Sequence, residues 1–182
     1  MTVRLGPSQE KGFTLIETII LLLIVSILSA ISIPKMINMS ETMHLQAAAR
    51  KLAYDIRYVR ENALSLHDVF GIEFDVDANS YQAFQWEGAQ KNILTDPHTR
   101  GEMVIDLDVR PEYEGVSLGT VGYTDSNSAQ FVAITEFRVD AFGNPEDDLG
   151  NDLEDPVVIT LQSGSESQQV QMTHQTGFVE VT

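Results

Sequence analysis

Residues 13–33 are the feature that most constrains this chain, because Glu17 carries the only charged side chain in these 21 mainly apolar residues. As an α-helix, which rises about 1.5 Å per residue, the run would span roughly 31 Å, close to the thickness of a bilayer's hydrocarbon core. A carboxylate without a partner in hydrocarbon costs about 2.5 kcal/mol or more. The sequence therefore predicts a transmembrane helix in which Glu17 requires a compensating positive charge.

Two other kinds of N-terminal segment also contain an apolar run. A cleaved secretory signal peptide has a shorter one, with small residues at a cleavage site beyond it, whereas here the small residues lie inside the run at positions 29–32. An uncleaved anchor, with Arg4 and Lys11 held in the cytoplasm, is the second alternative. The anchor stays open, although it leaves the acid at Glu17 unexplained.

The segment KGFTLIE, residues 11–17, resembles the type III signal of type IV pilins and of the pseudopilins of type II secretion. In that family a prepilin peptidase cuts after the glycine and N-methylates the new first residue. The resemblance implies removal of a leader, residues 1–12, by cleavage between Gly12 and Phe13, and methylation of Phe13. It also implies that Glu17 acts in subunit assembly. The new amine of a staggered neighbour would neutralise the carboxylate, because both charges are costly in hydrocarbon when unpaired.

Pro34 directly follows the apolar run, and its fixed ring and missing N–H predict a helix kink there. Beyond it, apolar residues recur at helical spacing at Leu45, Leu52, Ile56, Val59 and Ala63. This stripe predicts an amphipathic helix over residues 34–66 that covers a sheet. The basic residues Arg50, Lys51, Arg57 and Arg60 are interpreted as a solvated face that could contact acidic neighbours in a filament.

From residue 67 onward the apolar period changes to two, which is typical of strands. Phe70–Val76 and Tyr81–Trp86 flank the turn residues 77–80 and predict a hairpin. Further strands are predicted over Met103–Val109, Gly115–Val121, Gln130–Val139, Pro156–Gln162, Ser167–Thr173 and Gly177–Val181. A long helix followed by a run of strands predicts an α+β fold of the pilin-like kind. In it the N-terminal helix packs on antiparallel sheet, and residues 67–182 form a β-rich domain.

Residues 47–63 and 134–145 resemble the GspH/FimT class of minor pseudopilins and pilins. This resemblance implies a minor pseudopilin of the type II secretion pseudopilus, taking part in protein export across the outer membrane. It would be a single-pass protein of the bacterial inner membrane with its C-terminal domain in the periplasm. Its partners would be prepilin peptidase, other pseudopilins or pilins in a filament, and the inner-membrane assembly platform.

Two alternatives to this function stay open. The first is a FimT-like minor type IV pilin that primes pilus assembly, and the second is a membrane-anchored binding domain that does not polymerise. Some FimT-type pilins bind DNA through a basic C-terminal tail, whereas the tail at 177–182 has no cation. The net charge of −16 also argues against nucleic-acid binding, because nucleic acids are polyanions. Both observations favour the secretion branch.

Residues 144–155 contain six acidic side chains in a predicted loop. Because carboxylate oxygens suit Ca²⁺, the candidate ligands are Asp147, Asp148, Asp152, Glu154 and Asp155. The alternative is a solvated loop without a metal, and no other cofactor is expected. No sequence pattern combines a nucleophile with a base and an orienting residue, so the chain is not expected to be an enzyme.

Overall fold

The computed structural model describes residues 13–88, 90–174 and 176–182, with the backbone alone described for residues 31–38. The chain divides into two units, one ending at Met39 and the other covering Ser40–Thr182. Helix α1, Leu15–Leu66, contributes to both units. The predicted leader, including Gly12, lies outside the described residues.

Helix α1 begins directly after Thr14, whose hydroxyl accepts a hydrogen bond of 3.3 Å from the backbone N–H of Glu17. A threonine that caps a first turn in this way satisfies a backbone donor that has no partner within the helix. The helix ends at Leu66, in agreement with the end that the apolar spacing predicts. Its backbone is helical through residue 34, where the side chain is not described, so the kink at Pro34 stays a prediction.

Among the parts of the chain with described side chains, no helix is both long enough and apolar enough to qualify as a membrane span. The transmembrane helix predicted over residues 13–33 reaches into the stretch of α1 described only by its backbone. That span stays a prediction.

Eleven strands follow α1 within the described residues. They are β1 Val69–Asp75, β2 Ser80–Glu87, β3 Gln90–Ile93, β4 Val104–Asp106, β5 Ser117–Asp125, β6 Gln130–Ala133, β7 Glu136–Val139, β8 Pro145–Glu146, β9 Val157–Ser163, β10 Glu166–Met172 and β11 Val179–Val181. One antiparallel sheet has the order β3-β2-β1-β7-β8, with β4 also paired to β2, and the other has the order β11-β10-β9-β5-β6. A short 3-10 helix, Pro111–Tyr113, precedes β5.

The predicted hairpin is confirmed, since β1 and β2 pair antiparallel with Asp75 opposite Ser80. The single strand predicted over residues 130–139 is wrong, because β6 pairs with β5 in one sheet and β7 pairs with β1 in the other. The chain changes sheets between β6 and β7. The N–H of Ile134 donates to Val121, whereas the carbonyl of Thr135 accepts from Phe74. Strands β3 and β8, which sequence patterning did not predict, are short and lie at sheet edges.

The core of the Ser40–Thr182 unit is built from one face of α1 and the inward faces of the strands. The predicted apolar stripe of α1 is completely or almost completely buried at Leu45, Leu52, Ile56, Val59 and Ala63. On β1, the alternating residues Phe70, Ile72 and Phe74 belong to the same core. The α+β fold predicted from the change of period, a long helix followed by antiparallel sheet, is therefore confirmed.

Candidate functional site

The predicted assembly residues lie at the N-terminal end of α1, with Phe13 just before the helix and Glu17 in its first turn. Phe13 and Glu17 lie on one side of the helix and line a shallow groove together with Ile20, Leu21, Ile24 and Val25. These positions recur every three or four residues, the spacing that aligns side chains on one face of a helix. The apolar side chains of this part of α1, from Phe13 to Leu28, are all exposed. The groove is therefore an apolar face that carries one acid near its start.

The carboxylate of Glu17 has no salt-bridge partner among the described residues. Its backbone is anchored through Thr14, so the side chain is held in the first turn of the helix. The predicted cleavage site, Gly12, lies outside the described residues. The roles assigned to Gly12, Phe13 and Glu17 in processing and assembly stay predictions.

A second acid on α1, Asp55, is completely buried, and sequence reasoning did not single it out. Its two carboxylate oxygens accept hydrogen bonds of 2.6 and 2.7 Å from the ammonium group of Lys51, one turn earlier on the helix. The hydroxyl of Tyr81, on β2, donates a third hydrogen bond of 2.8 Å. The sequence signal was an acid within the apolar stripe, four residues after a lysine.

Burial dominates the ionisation of this group. It raises the pKa of Asp55, although the hydrogen bond and charge of Lys51 and the hydrogen bond of Tyr81 act in the opposite direction. Burial also raises the pKa of the Tyr81 phenol well above its usual range, and the nearby Asp55 carboxylate raises it further. A buried and fully hydrogen-bonded network of this kind makes the packing of α1 on β2 specific.

Of the four basic residues predicted to form a solvated face on α1, Arg50 and Arg57 are exposed, whereas Lys51 and Arg60 are partly buried. Lys51 pairs with Asp55, as described above. The guanidinium of Arg57 donates to the carbonyl of Val179 on β11. Arg60 donates to the carbonyls of Gly143, at 3.3 Å, and Thr176, at 2.8 Å. These acceptors are backbone groups more than 80 residues away in sequence, so no side-chain pattern could reveal them.

The five predicted calcium ligands do not come together as a set. Asp147 is used within its own turn, where it accepts hydrogen bonds from Leu149 and Asn151, and Asp155 accepts one from the N–H of Ser126. Within the described part of the chain, the carboxylates that converge are those of Asp140, Glu146 and Asp152, whose oxygens lie within 4.8 Å of one another.

Of the predicted ligands, only Asp152 belongs to this group of three. Burial, with the negative charges of Asp140 and Asp152, raises the pKa of Glu146. This direction is the one expected where like charges are held together. Calcium binding in this region stays a prediction.

The comparisons with known proteins point to one class. The prokaryotic N-terminal methylation motif matches residues 7–33. Among solved structures, the minor pseudopilin EpsH from the type 2 secretion system of Vibrio cholerae matches with a TM-score of 0.54 at 12% identity, over 76% of this chain and 96% of EpsH. A second EpsH structure gives a TM-score of 0.52 at 14% identity, over 76% of this chain and 92% of the other.

The type IV minor pilin FimU of Pseudomonas aeruginosa strain PAO1 matches with a TM-score of 0.51 at 13% identity, over 79% of this chain and 92% of FimU. No curated protein matches the chain by sequence. At this level of identity the solved structures establish the fold, which pseudopilins and pilins share.

The chain thus carries the prokaryotic N-terminal methylation motif at residues 7–33, and its fold is similar to that of the minor pseudopilin EpsH and the minor pilin FimU.

Proposed function

We propose that this chain is a minor pseudopilin of a type II secretion pseudopilus and takes part in protein export across the outer membrane. Prepilin peptidase would cut after Gly12 and methylate Phe13. The apolar part of α1 would hold the subunit in the inner membrane, with the Ser40–Thr182 unit in the periplasm. Other pseudopilins and the inner-membrane assembly platform would be its partners. The observation that carries the proposal is Glu17, an acid on an exposed apolar helix face that begins at Phe13.

The physical argument concerns two charges. Cleavage would create an amine at Phe13, and in an apolar surrounding an unpaired ammonium and an unpaired carboxylate are each costly. Pairing the amine of one subunit with Glu17 of the next would relieve both costs at once. Removing either partner leaves the other charge unpaired, a loss of about 3–5 kcal/mol for a buried pair. One carboxylate could therefore set the register of assembly.

The cleavage step is tested by Gly12→Val in the full chain. We expect the precursor to accumulate, because a side chain at this position blocks the close approach of the peptidase to the backbone. The matched control is Gly6→Val, which changes a leader glycine away from the cut. Immunoblotting and mass spectrometry of the N-terminus give the readout. A normally processed Gly12→Val protein would contradict the assigned site.

The assembly step is tested by Glu17→Leu, with Thr18→Leu as a control on the same helical turn. We expect the Glu17 variant to be inserted and processed but to be missing from sheared or crosslinked filaments, whereas the control assembles. Because the chain has no cysteine, a single cysteine placed at Leu22 can report contacts between neighbouring helices. The absence of such contacts would favour the membrane-anchored binding domain that does not polymerise.

The alternative of a minor type IV pilin that primes pilus assembly is kept because FimU has the same fold. Deleting the gene separates the two functions. Loss of exported proteins from the medium, with surface pili intact, is the result expected for a pseudopilin. Loss of surface pili with normal export would assign the chain to the pilus instead. A secretin gene nearby would favour the pseudopilin, and a retraction-ATPase gene nearby would favour the minor type IV pilin.

A further inference from the structure

A five-residue pattern occurs twice in the acidic region. Residues 140–144 read DAFGN and residues 147–151 read DDLGN, so that both have the form Asp-x-apolar-Gly-Asn. The first copy forms the turn between β7 and β8. The second follows β8 and is closed by a bridge between Glu146 and Asp152. The region therefore consists of two successive turns of nearly the same sequence.

The first turn is held by its own polar groups. The N–H groups of Phe142 and Asn144 donate to the Asp140 carboxylate at 2.9 and 2.7 Å. The N–H of Gly143 donates to the Asp140 carbonyl at 3.0 Å, and the N–H of Asp140 donates to the Asn144 carbonyl at 3.0 Å. Gly143 has a φ of +85°, a conformation that favours glycine. Aspartate, glycine and asparagine together define this turn.

The second turn repeats these bonds. The N–H groups of Leu149 and Asn151 donate to the Asp147 carboxylate at 2.9 and 2.8 Å. The N–H of Gly150 donates to the Asp147 carbonyl at 3.2 Å, the N–H of Asp147 donates to the Asn151 carbonyl at 2.9 Å, and Gly150 has a φ of +82°. The two turns are therefore the same structure built twice.

In each turn the apolar side chain has no part in the bonding, and it is presented to solvent. Phe142 is 80% exposed and Leu149 is 79% exposed, the highest values among the large apolar side chains described in residues 40–182. A polar residue would satisfy the middle position of such a turn equally well. A large apolar residue that a hydrogen-bonded turn exposes to water, at the same place in two copies, is the arrangement expected of a contact with another protein.

The charge around these two residues indicates the chemistry of the partner. Residues 140–155 contain seven carboxylates and no lysine, arginine or histidine. Two cations from elsewhere approach this segment: Arg60 donates to the carbonyl of Gly143, and Arg138 lies opposite Glu146 and pairs with Glu136, so the carboxylates still outnumber the cations. Three of these carboxylates converge, which raises the pKa of Glu146 through burial and through the charges of Asp140 and Asp152. A basic surface would relieve this repulsion. A second copy of a chain with a net charge of −16 would add to it.

We propose that the two turns are a docking surface for a different protein, whose basic surface has apolar pockets that receive Phe142 and Leu149. One partner can contact both turns. They are separated by the three-residue step from Asn144 to Asp147, roughly 10 Å of strand. That distance lies well within one side of a standard interface of about 800 Å². The proposal concerns this surface alone and does not depend on which filament the subunit joins.

The test uses the full chain in its native membrane, with the photoreactive residue p-benzoylphenylalanine at position 142, 149 or 109. Val109 is the control, because it is 74% exposed and lies outside the two turns. We expect positions 142 and 149 to crosslink to the same polypeptide, at peptides that carry lysine or arginine beside apolar residues. Yields no higher than at position 109, or crosslinks only to copies of this chain, would overturn the proposal.

A second measurement uses the variant Phe142→Ser with Leu149→Ser, compared with Val109→Ser. We expect the amount of the crosslinked polypeptide that co-purifies with the double variant to fall at least about tenfold, because apolar anchors dominate binding at such contacts. Co-purification with the unchanged chain should also fall as salt is raised. Unchanged co-purification of the double variant would overturn the proposal. Cleavage after Gly12 and filament incorporation are scored in the same samples, so failure of the proposed filament function is seen separately.

Discussion

The two halves of helix α1 each carry one acid on a largely apolar face, and these two acids differ in burial and in bonding partners. Glu17 lies on an exposed apolar face and has no salt-bridge partner among the described residues. Asp55 is fully buried and is bonded to Lys51 and Tyr81 of the same chain. A carboxylate away from water requires a partner. Asp55 has its partners within the fold, whereas the proposed assembly role would give Glu17 a partner from another subunit.

The comparison predicts which substitutions on one helix affect the folded state. Lys51→Met should have the largest effect, a loss of about 3–5 kcal/mol in the free energy of unfolding, because it leaves the Asp55 carboxylate buried without its cation. Urea unfolding of the full chain in detergent measures the loss. Arg50→Met, one residue earlier and exposed, is the control and should change stability by less than about 0.5 kcal/mol. A small effect of Lys51→Met would show that Asp55 does not depend on this lysine.

Identical leucine truncations at the two ends of α1 should also differ. Leu52 is fully buried and Leu23 is 58% exposed. Leu52→Ala should cost about 2–5 kcal/mol through lost burial and the cavity that remains, whereas Leu23→Ala should cost less than about 0.5 kcal/mol. The same unfolding experiment compares them. Equal losses would mean that the N-terminal half of α1 is packed within a single chain, contrary to the comparison.

The ionisation of Asp55 predicts a pH dependence of the free energy of unfolding. Burial raises the folded-state pKa of Asp55 above its ordinary value of 3.8, so the folded protein binds this proton more tightly than the unfolded chain does. The stability from this group is therefore full below pH 3.8 and is lost as the pH rises through the folded pKa. The loss is about 1.4 kcal/mol for each pH unit that separates the folded-state pKa from the unfolded-state pKa.

This pH dependence is measured against Asp55→Asn, which cannot ionise. The stability of the unchanged protein relative to the variant should fall as the pH rises above about 4, and the slope rather than the absolute difference is the readout. A stability difference that does not change with pH would mean that the charge of Lys51 fully offsets the effect of burial on the pKa of Asp55.

The smallest effect on unfolding is expected for Glu17→Leu, within about 0.5 kcal/mol. The side chain of Glu17 is exposed and has no ion pair within the described part of the chain, so its removal changes no contact that stabilises the fold. Unfolding in detergent gives the value, and Thr18→Leu is the matched control. A large loss would show that Glu17 already has a partner within its own chain, and the proposed assembly role would lose its basis.

Much of the fold was predictable from local patterns. The apolar stripe from Leu45 to Ala63 predicted the buried face of α1, and the change from helical to twofold period predicted the β1–β2 hairpin. The switch between sheets at residues 134–135 was not predictable. Apolar residues at Phe131, Ala133, Phe137 and Val139 continue an alternation in the sequence across it, although the first two are exposed and the last two are buried. The hydrogen bonds to Val121 and Phe74 assign the two strands to different sheets. Periodicity shows which side chains point inward, but it does not specify which sheet receives them.

The candidate sites also divide into those that could be recognised from the sequence and those that could not. The segment KGFTLIE could be recognised from the sequence because its residues are contiguous, and it lies within the matched methylation motif at residues 7–33. The roles of Arg57 and Arg60 were missed because their acceptors are carbonyls of distant residues. In the acidic region the sequence predicted a set of five ligands. The structure instead engages Asp147 within a turn and groups Asp152 with Asp140 and Glu146.

By itself, the sequence determined the features that depend on neighbouring residues: the methylation motif, the apolar N-terminal run with its single acid, the amphipathic helix and the alternating strands. Only the tertiary structure decided which sheet each strand joins, which tyrosine bonds to Asp55 and which carboxylates converge. The physical reason is the separation along the sequence over which each effect acts. Helix and strand periodicity and motif spacing act over a few residues, whereas pairing, burial and electrostatic contacts are set by groups that only folding brings together.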